Sequence, residues 1–411
     1  MLKHDKQLYF LNETIRIARN SDIYKLKLRN YPLKLKNISE LKNLPFTTKK
    51  ELRNCYPFGA LSVPIKDVIE VHTSSGTTGK STLSYFTQED LKIGSREISR
   101  AWDCFGINNE STVQFMMSYG LFSGAALNTY AIQKLGGLVI PAGIQSAEKQ
   151  LQMMIDFRVS TIVGTPGYYY YLFDYITENN ISLKKFFLKQ GIMAGEIYSD
   201  KVRADIESKF NIKIFDHYGL CEINTGIAHE CEFRTGLHIL DEYVFPEIIN
   251  PETGKVLPDD SEGELILTTL RKKASPLIRY RTGDITSIKS GQCPCGRNSI
   301  RIDRIKRRVD DIIFIKGIKI DPYELKEYIL ESVGNDIYSD IKIILRSDFK
   351  NYRPKILVSL KVPANIKMLA LIQKIIKNKT LITFDVEHIH RDYFDRGENN
   401  KIKFVEYVDK K

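Results

Sequence analysis

Along the first half of the chain, apolar residues recur in blocks that alternate between a helical period and short continuous runs. Leu8, Leu11, Ile15, Ile17 and Ala18 fall at helical spacing and predict a helix over residues 7–30. Thr48 followed by Glu51 predicts a capping box at the start of a second helix. Val68, Ile69 and Val71 predict a strand, and Tyr85-Phe86 opens another apolar segment. From there strands and helices alternate. Strands are expected at 111–117, 137–141, 161–166, 190–196 and 213–222, the last turning at Gly219. Helices are expected at 88–106, 120–135, 147–157, 168–179 and 199–209. This spacing predicts an α/β fold with a largely parallel sheet, and ligands in such folds sit at the carboxyl ends of the strands.

The pattern changes after residue 236. Residues 236–290 alternate apolar and polar, with turns at Pro251-Glu252-Thr253-Gly254 and Asp259-Asp260-Ser261-Glu262-Gly263. They predict antiparallel strands forming a small distorted barrel. The charged stretch Arg307-Arg308-Val309-Asp310-Asp311 leads into a strand-helix-strand-helix texture. The expected organisation is a large domain over residues 1–307 and a small, mobile α+β domain over residues 308–411.

Composition narrows the class. The chain has 411 residues, 43% of them hydrophobic and 10% aromatic, enough for a full-sized core. No apolar run reaches a membrane span, and six cysteines do not make a disulfide framework, so the expected compartment is the cytoplasm. The net charge is +11; residues 1–50 hold 12 Lys/Arg against 4 Asp/Glu, and residues 307–411 hold 21 against 16. Such a surface suits a polyanionic small molecule, an acidic carrier or a solvated exterior. A nucleic-acid-binding reading would need a second cysteine pair at knuckle spacing and a continuous basic–aromatic stripe, and the sequence has neither.

The densest chemistry lies in Ser74-Ser75-Gly76-Thr77-Thr78-Gly79-Lys80. Glycines admit a close ligand, while hydroxyls, amides and the Lys80 ammonium donate to phosphate oxygens. A Walker A loop is excluded because Ser74 stands where its first glycine belongs.

With Leu44-Pro45-Phe46-Thr47-Thr48-Lys49, Tyr119-Gly120-Leu121-Phe122-Ser123-Gly124, Ala194-Gly195-Glu196, Asp216-His217-Tyr218-Gly219-Leu220-Cys221-Glu222, Ile278-Arg279-Tyr280-Arg281-Thr282-Gly283-Asp284 and Arg308-Val309-Asp310-Asp311 in this order, the chain resembles the adenylate-forming acyl-CoA synthetase superfamily. It is most similar to the phenylacetate–CoA ligase branch with its CapK-type relatives. The resemblance implies an AMP-forming acid–thiol ligase using ATP and Mg²⁺. A carboxylate attacks the α-phosphate, and a thiol then displaces AMP. It implies that Ser74, Ser75, Gly76, Thr77, Thr78, Gly79 and Lys80 cradle phosphates, and that Glu222 holds Mg²⁺. Ala194, Gly195, Glu196, Asp216, His217, Tyr218 and Gly219 then surround the adenine, with Asp284 and Arg308 on the ribose or phosphate side. The catalytic lysine is Lys401, with Lys403 the alternative, and Asp310 matches a hinge. Tyr119, Phe122 and Gly124 line the acid pocket and imply an aromatic acid. The polar Ile223-Asn224-Thr225-Gly226 suggests a hydroxyl or amino substituent on it.

Cys293-Pro294-Cys295 is a tight thiol pair suited to a soft metal. Cys231 and His238 are the candidate partners, His229 is the spare, and relatives carrying this set imply a structural Zn²⁺. The acceptor thiol is that of CoA or, alternatively, the phosphopantetheine of an acyl carrier protein. A homodimer is the further candidate assembly, and no nucleic-acid or membrane partner is expected.

Overall fold

The computed structural model describes residues 3–73, 81–121, 123–309, 313–315, 318–320, 322–333, 337–346, 353–361, 366–390, 393–394 and 405–408. The chain divides into two compact units, Met1–Lys306 and Arg307–Lys411.

In the first unit, helices α1 (Lys3–Ala18) and α2 (Asp22–Lys27) replace the single helix expected over 7–30. The break falls at Ser21, which has extended backbone as the N-cap of α2 and whose hydroxyl bonds back to Ala18 O. Apolar spacing continues through the break, so periodicity alone does not reveal it. Helix α3 (Lys49–Asn54) starts with the expected capping box: Thr48 accepts from Glu51 N, and Glu51 accepts from Thr48 N. Strands β1 (Glu70–Thr73) and β2 (Leu83–Phe86) pair antiparallel on either side of the Ser/Thr/Gly loop.

Next come α4 (Gln88–Cys104), β3 (Thr112–Phe115), α5 (Ser123–Lys134), β4 (Leu138–Ile140), α6 (Ala147–Asp156), β5 (Thr161–Gly164), α7 (Pro166–Glu178), β6 (Gln190–Ala194), α8 (Asp200–Phe210), β7 (Lys213–Leu220), β8 (Asn224–His229) and β9 (Leu237–Ile239). With β13 (Ile288–Lys289) and β14 (Arg301–Ile302) they build a nine-stranded sheet ordered β13-β14-β9-β8-β7-β6-β5-β3-β4. The run from β4 to β7 is parallel, and the sheet turns antiparallel from β8 onward. Successive strand residues point to opposite faces, and the two cores follow that alternation. Val163, Ile192 and Phe215 pack with Trp102 of α4 and Leu127 of α5. Their neighbours Ile162, Met193 and Ile214 pack with Met154 of α6, Leu172 of α7 and Ile206 of α8. Strand order reverses between β3 and β5, which opens a crevice at their carboxyl ends.

The segment expected to form an antiparallel barrel is a sheet in which β10 (Val244–Ile249) pairs with β11 (Gly263–Thr269) and β11 with β12 (Tyr280–Thr286). The register of the second pair shifts between Glu264 and Ile266.

The second unit begins at β15 (Arg307–Arg308) and continues through β16 (Ile313–Ile315), β17 (Ile318–Ile320), α9 (Pro322–Val333), β18 (Ile337–Arg346), β19 (Lys355–Leu360), α10 (Ile366–Thr380), β20 (Asp385–His388) and β21 (Val405–Val408). Its mixed sheet, ordered β20-β19-β18-β21, and its helices enclose a core of Ile, Leu, Val and Phe that includes Ile329, Ile343, Ile356, Ile376 and Phe384.

Candidate active site and metal centre

The β7–β8 turn carries Glu222, the residue expected to hold Mg²⁺, and is reached by both flanks of the Ser/Thr/Gly loop. Gly219 sits where the β7–β8 register slips between Tyr218 and Leu220, so the strand breaks before Cys221-Glu222. Glu222 is 5% exposed. Thr82 Oγ1 donates to its Oε1 at 2.8 Å, and Lys49 Nζ lies 3.1 Å from the same oxygen. Burial alone would raise the Glu222 pKa, but Lys49 and the hydrogen bonds of Thr82 and the backbone bring it below the ordinary value, so the carboxylate is ionised at neutral pH. The Ser74–Lys80 phosphate loop, with every one of its candidate residues, lies outside the described residues. Both of its flanks reach this turn: Cys221 Sγ donates to Thr73 O at 3.0 Å, and Ser84 Oγ donates to Glu222 O at 3.3 Å. Thr73 N in turn donates to Leu121 O at 2.8 Å, which ties the loop entrance to the 119–124 turn.

Sequence reading missed Lys272, which follows β11 and is 1% exposed beneath the same turn. Its Nζ donates to Ile223 O at 2.7 Å, Glu222 O at 3.4 Å and Ser84 Oγ. It also stands 4.2 Å from the centre of the Phe86 ring. No motif marks it, because its partners come from β2 and the β7–β8 turn, far away in sequence. Its sequence neighbours Arg271 and Lys273 are basic and partly exposed, so nothing along the chain sets Lys272 apart from a solvated basic run.

The nucleoside-side residues divide between two faces of β7. Tyr218 OH donates to Asp284 Oδ2 at 2.5 Å, joining two predicted site residues from β7 and β12. Ala194 is the register partner of His217, and Gly195 beyond it takes φ +81°, a left-handed turn that suits glycine. Glu196 follows in that turn. Asp216 is engaged by Arg304, whose Nε donates to Oδ2 at 2.9 Å and whose guanidinium lies 4.1 Å from the Tyr198 ring centre. His217 points to the other face, against Trp102 and Phe105. Asn128 Nδ2 donates to Gly124 O, so its Oδ1 accepts from Trp102 Nε1 at 2.7 Å and faces His217 Nε2 at 3.2 Å. Nε2 therefore carries the ring proton, an assignment made from the hydrogen-bond network. Burial lowers His217 to about 4 and keeps it neutral. In the acid-side turn, Tyr119 OH pairs with Thr129 Oγ1 at 2.8 Å. Phe122, Lys401, Lys403 and Asp310 lie outside the described residues, and Arg308 lies in β15 of the second unit.

Cys231, His238, Cys293 and Cys295 come together, their four ligand atoms all within 4.8 Å of one another. Cys231 Sγ and Cys293 Sγ are 3.7 Å apart, and Cys295 Sγ is 3.4 Å from His238 Nε2. With Zn–S near ~2.3 Å, a tetrahedron places two sulfurs roughly 3.8 Å apart, so the donor set fits the ion. His238 Nδ1 faces Ser299 Oγ at 2.7 Å, which orients the ring and leaves Nε2 for the ligand. His229, the spare candidate, stays outside the group; its ring stacks 6.0 Å from that of His238. His217, His229 and His238 are successive register partners across β7, β8 and β9, forming a row from the nucleoside motif to the metal centre.

The chain matches the family described as AMP-binding enzyme over residues 26–269. It is 38% identical to a phenylacetate–coenzyme A ligase of Aromatoleum evansii over 304 residues, 74% of this chain and 68% of that protein. It is 36% identical to the phenylacetate–coenzyme A ligase of Escherichia coli K12, over 73% of this chain and 69% of that one. Among solved structures, a 2-hydroxyisobutyryl-CoA ligase in its postadenylation state superposes with a TM-score of 0.88 at 20% identity, covering 99% of this chain and 90% of that one. At that identity the likeness concerns the fold.

Proposed function

This chain belongs to the AMP-binding enzyme family, in its phenylacetate–CoA ligase-like branch, and from that premise we propose how its residues carry out the ATP-dependent joining of an aryl acid to CoA. The reaction is AMP-forming. An oxygen of the acid attacks the α-phosphorus of ATP, and the bond to the bridging oxygen of the β-phosphate breaks. Pyrophosphate leaves and an acyl-adenylate remains. The CoA sulfur then attacks the acyl carbon, the bond to AMP breaks, and the thiol proton passes to solvent.

The observation that carries the reading is the convergence of both flanks of the Ser/Thr/Gly loop on the buried, ionised Glu222. Charge builds on phosphate oxygens in the first step, so fixed cations and donors are the means of catalysis. Lys49 and Thr82 approach Glu222 Oε1, which leaves Oε2 to meet a hard cation. Glu222 would hold Mg²⁺ there, and the ion would supply neutralisation of phosphate charge. Tyr218 and Asp284 receive the nucleoside, Asp284 with an oxygen suited to the ribose hydroxyls. Tyr119 and Gly124 border the acid. The catalytic lysine of the first step is assigned to Lys401, with Lys403 the alternative. Cys231, His238, Cys293 and Cys295 would hold a structural Zn²⁺, because four protein ligands leave no open position. The proposed site of action is the cytoplasm. No helix among the described residues is long and apolar enough to cross a membrane.

The test is carboxylate-dependent ATP–pyrophosphate exchange over a panel of aryl and aliphatic acids, followed by addition of CoA. Exchange with an aryl acid and formation of its CoA thioester are expected. Absence of exchange with every acid overturns the reading, and exchange without thioester moves the acceptor to a carrier protein.

A further inference from the structure

Lys272 is a fully buried ammonium that the proposed chemistry leaves without a task. Its hydrogen bonds go to neutral acceptors, Ile223 O, Glu222 O and Ser84 Oγ, and among the described residues it forms no salt bridge. The charged and titratable groups packed around it are Glu222 and Cys221 on the turn, Lys49 of α3 beyond Glu222, and Asp90 of α4. Asp90 is already occupied, accepting from Thr87 N, Lys273 N and Ala274 N. Burying a charge against neutral partners is unfavourable unless something nearby makes use of it. Here Lys49 and Lys272 stand with Glu222 and Asp90, two charges of each sign, but Lys272 pairs directly with neither carboxylate and its positive charge stays fixed beneath the turn. Lys272 lies beneath the turn that both flanks of the Ser/Thr/Gly loop reach, at Thr73 and Thr82.

We propose that Lys272 is a positioning residue for the triphosphate: it pins the Glu222–Ile223 backbone to β2 and places a fixed positive charge behind the turn where the β- and γ-phosphates bind. The inference rests on the ligase reading and adds to it a residue that the family motifs do not mark. The ammonium cannot rotate away or be screened by water, so its field is preorganised and strong. The field favours ligands that carry β- and γ-phosphates, and AMP has neither. Burial lowers the Lys272 pKa to about 8. Above that pH the lysine is neutral and its positive charge behind the turn is lost. Cys221 does not mimic this change, because burial pushes its thiol up.

The test is equilibrium binding of MgATP and of AMP to the full chain, without acid, for wild type, Lys272→Met and Ser84→Ala. Lys272→Met is expected to weaken MgATP by at least about 10-fold while AMP changes by less than about 2-fold. Ser84→Ala, which keeps the charge but removes one contact of the pin, should weaken MgATP by clearly less than Lys272→Met does. In wild type, MgATP affinity should fall as pH rises through about 8, with AMP affinity flat; this arm needs no variant and stands even if Lys272→Met fails to fold. Equal loss of AMP and MgATP in Lys272→Met, or a MgATP affinity unchanged across pH 8, overturns the assignment. Wild type that binds neither nucleotide overturns the ligase reading itself, so the two failures are separable.

Discussion

Two clamps hold the antiparallel stretch β7–β8–β9, and they are built from opposite chemistry. At the β7–β8 turn, Glu222 is gripped by Lys49, Thr82 and, through its backbone, Lys272 and Ser84. At the far side, Cys231, His238, Cys293 and Cys295 face one another, and Ser299 backs the histidine. The histidine row His217–His229–His238 runs between the two. The first clamp has a buried lysine paired with neither nearby carboxylate, and the contacts of Lys49 and Thr82 with Oε1 leave Glu222 Oε2 to spare. The second has soft ligands matched in number and spacing to a single ion. On the proposed reading, the turn that exchanges ligands keeps an oxygen and a lysine without direct ionic partners, whereas the turn that holds strands together has its donors facing one another.

The most forceful way to break this contrast is Glu222→Gln. Pyrophosphate exchange should fall on the order of 10²–10³-fold, while the protein still folds, because the amide keeps a partner for Thr82. Retention of more than about a tenth of the activity would make the turn a scaffold like its counterpart. The same variant fixes a pH sign. Glu222 in the folded chain lies below its ordinary 4.5, so its stabilising contribution is present above that pH and disappears as pH falls through the folded value. Acid unfolding of Glu222→Gln should therefore be shallower below pH 4.5 than that of wild type.

Cys293→Ser tests the other clamp. Zinc content should drop from one ion per chain to none by atomic absorption, and Tm should fall by roughly 10 °C, because metal binding free energy is folding free energy. The turnover of the protein that remains folded should change by less than about 3-fold. A loss of turnover that far exceeds the loss of stability would join the two clamps into one machine. A smaller effect is expected from Asp284→Asn, which weakens the partner of Tyr218 and should raise the KM for ATP by about 10-fold with kcat little changed. The smallest comes from Thr48→Ala. Loss of the cap of α3 should cost about 1 kcal/mol, read as a small fall in Tm, and only slightly loosen Lys49.

Features that depend on residues close together along the chain are legible in the sequence itself. The Thr48–Glu51 box, the alternation of strands and helices, and the Cys293–Cys295 pair all announce themselves within a few positions. The Tyr218–Asp284 contact is accessible only through family motifs, since its two members lie on different sheets. Lys272 is invisible by either route. A lysine between Arg271 and Lys273 reads as part of a solvated basic run until Ser84 and Ile223 are brought to it by the fold. The division of α1 from α2 escapes for a different reason: a helix can stop without its apolar stripe stopping. The partners of Asn128 are likewise a matter of packing, because the ring of His217 and the indole of Trp102 converge on one amide oxygen from different elements.

The nine-stranded sheet is open, and its two borders are β4, three residues long, and β13, two residues long. A border that short offers few unpaired backbone groups to a neighbouring molecule. Growth of this sheet by edge-to-edge strand addition, the usual route from a wide open sheet to a fibre, is therefore blocked by geometry at both sides. Self-association through this sheet must use side-chain surfaces instead, which makes it sensitive to surface charge and salt rather than to the β-propensity of the core strands.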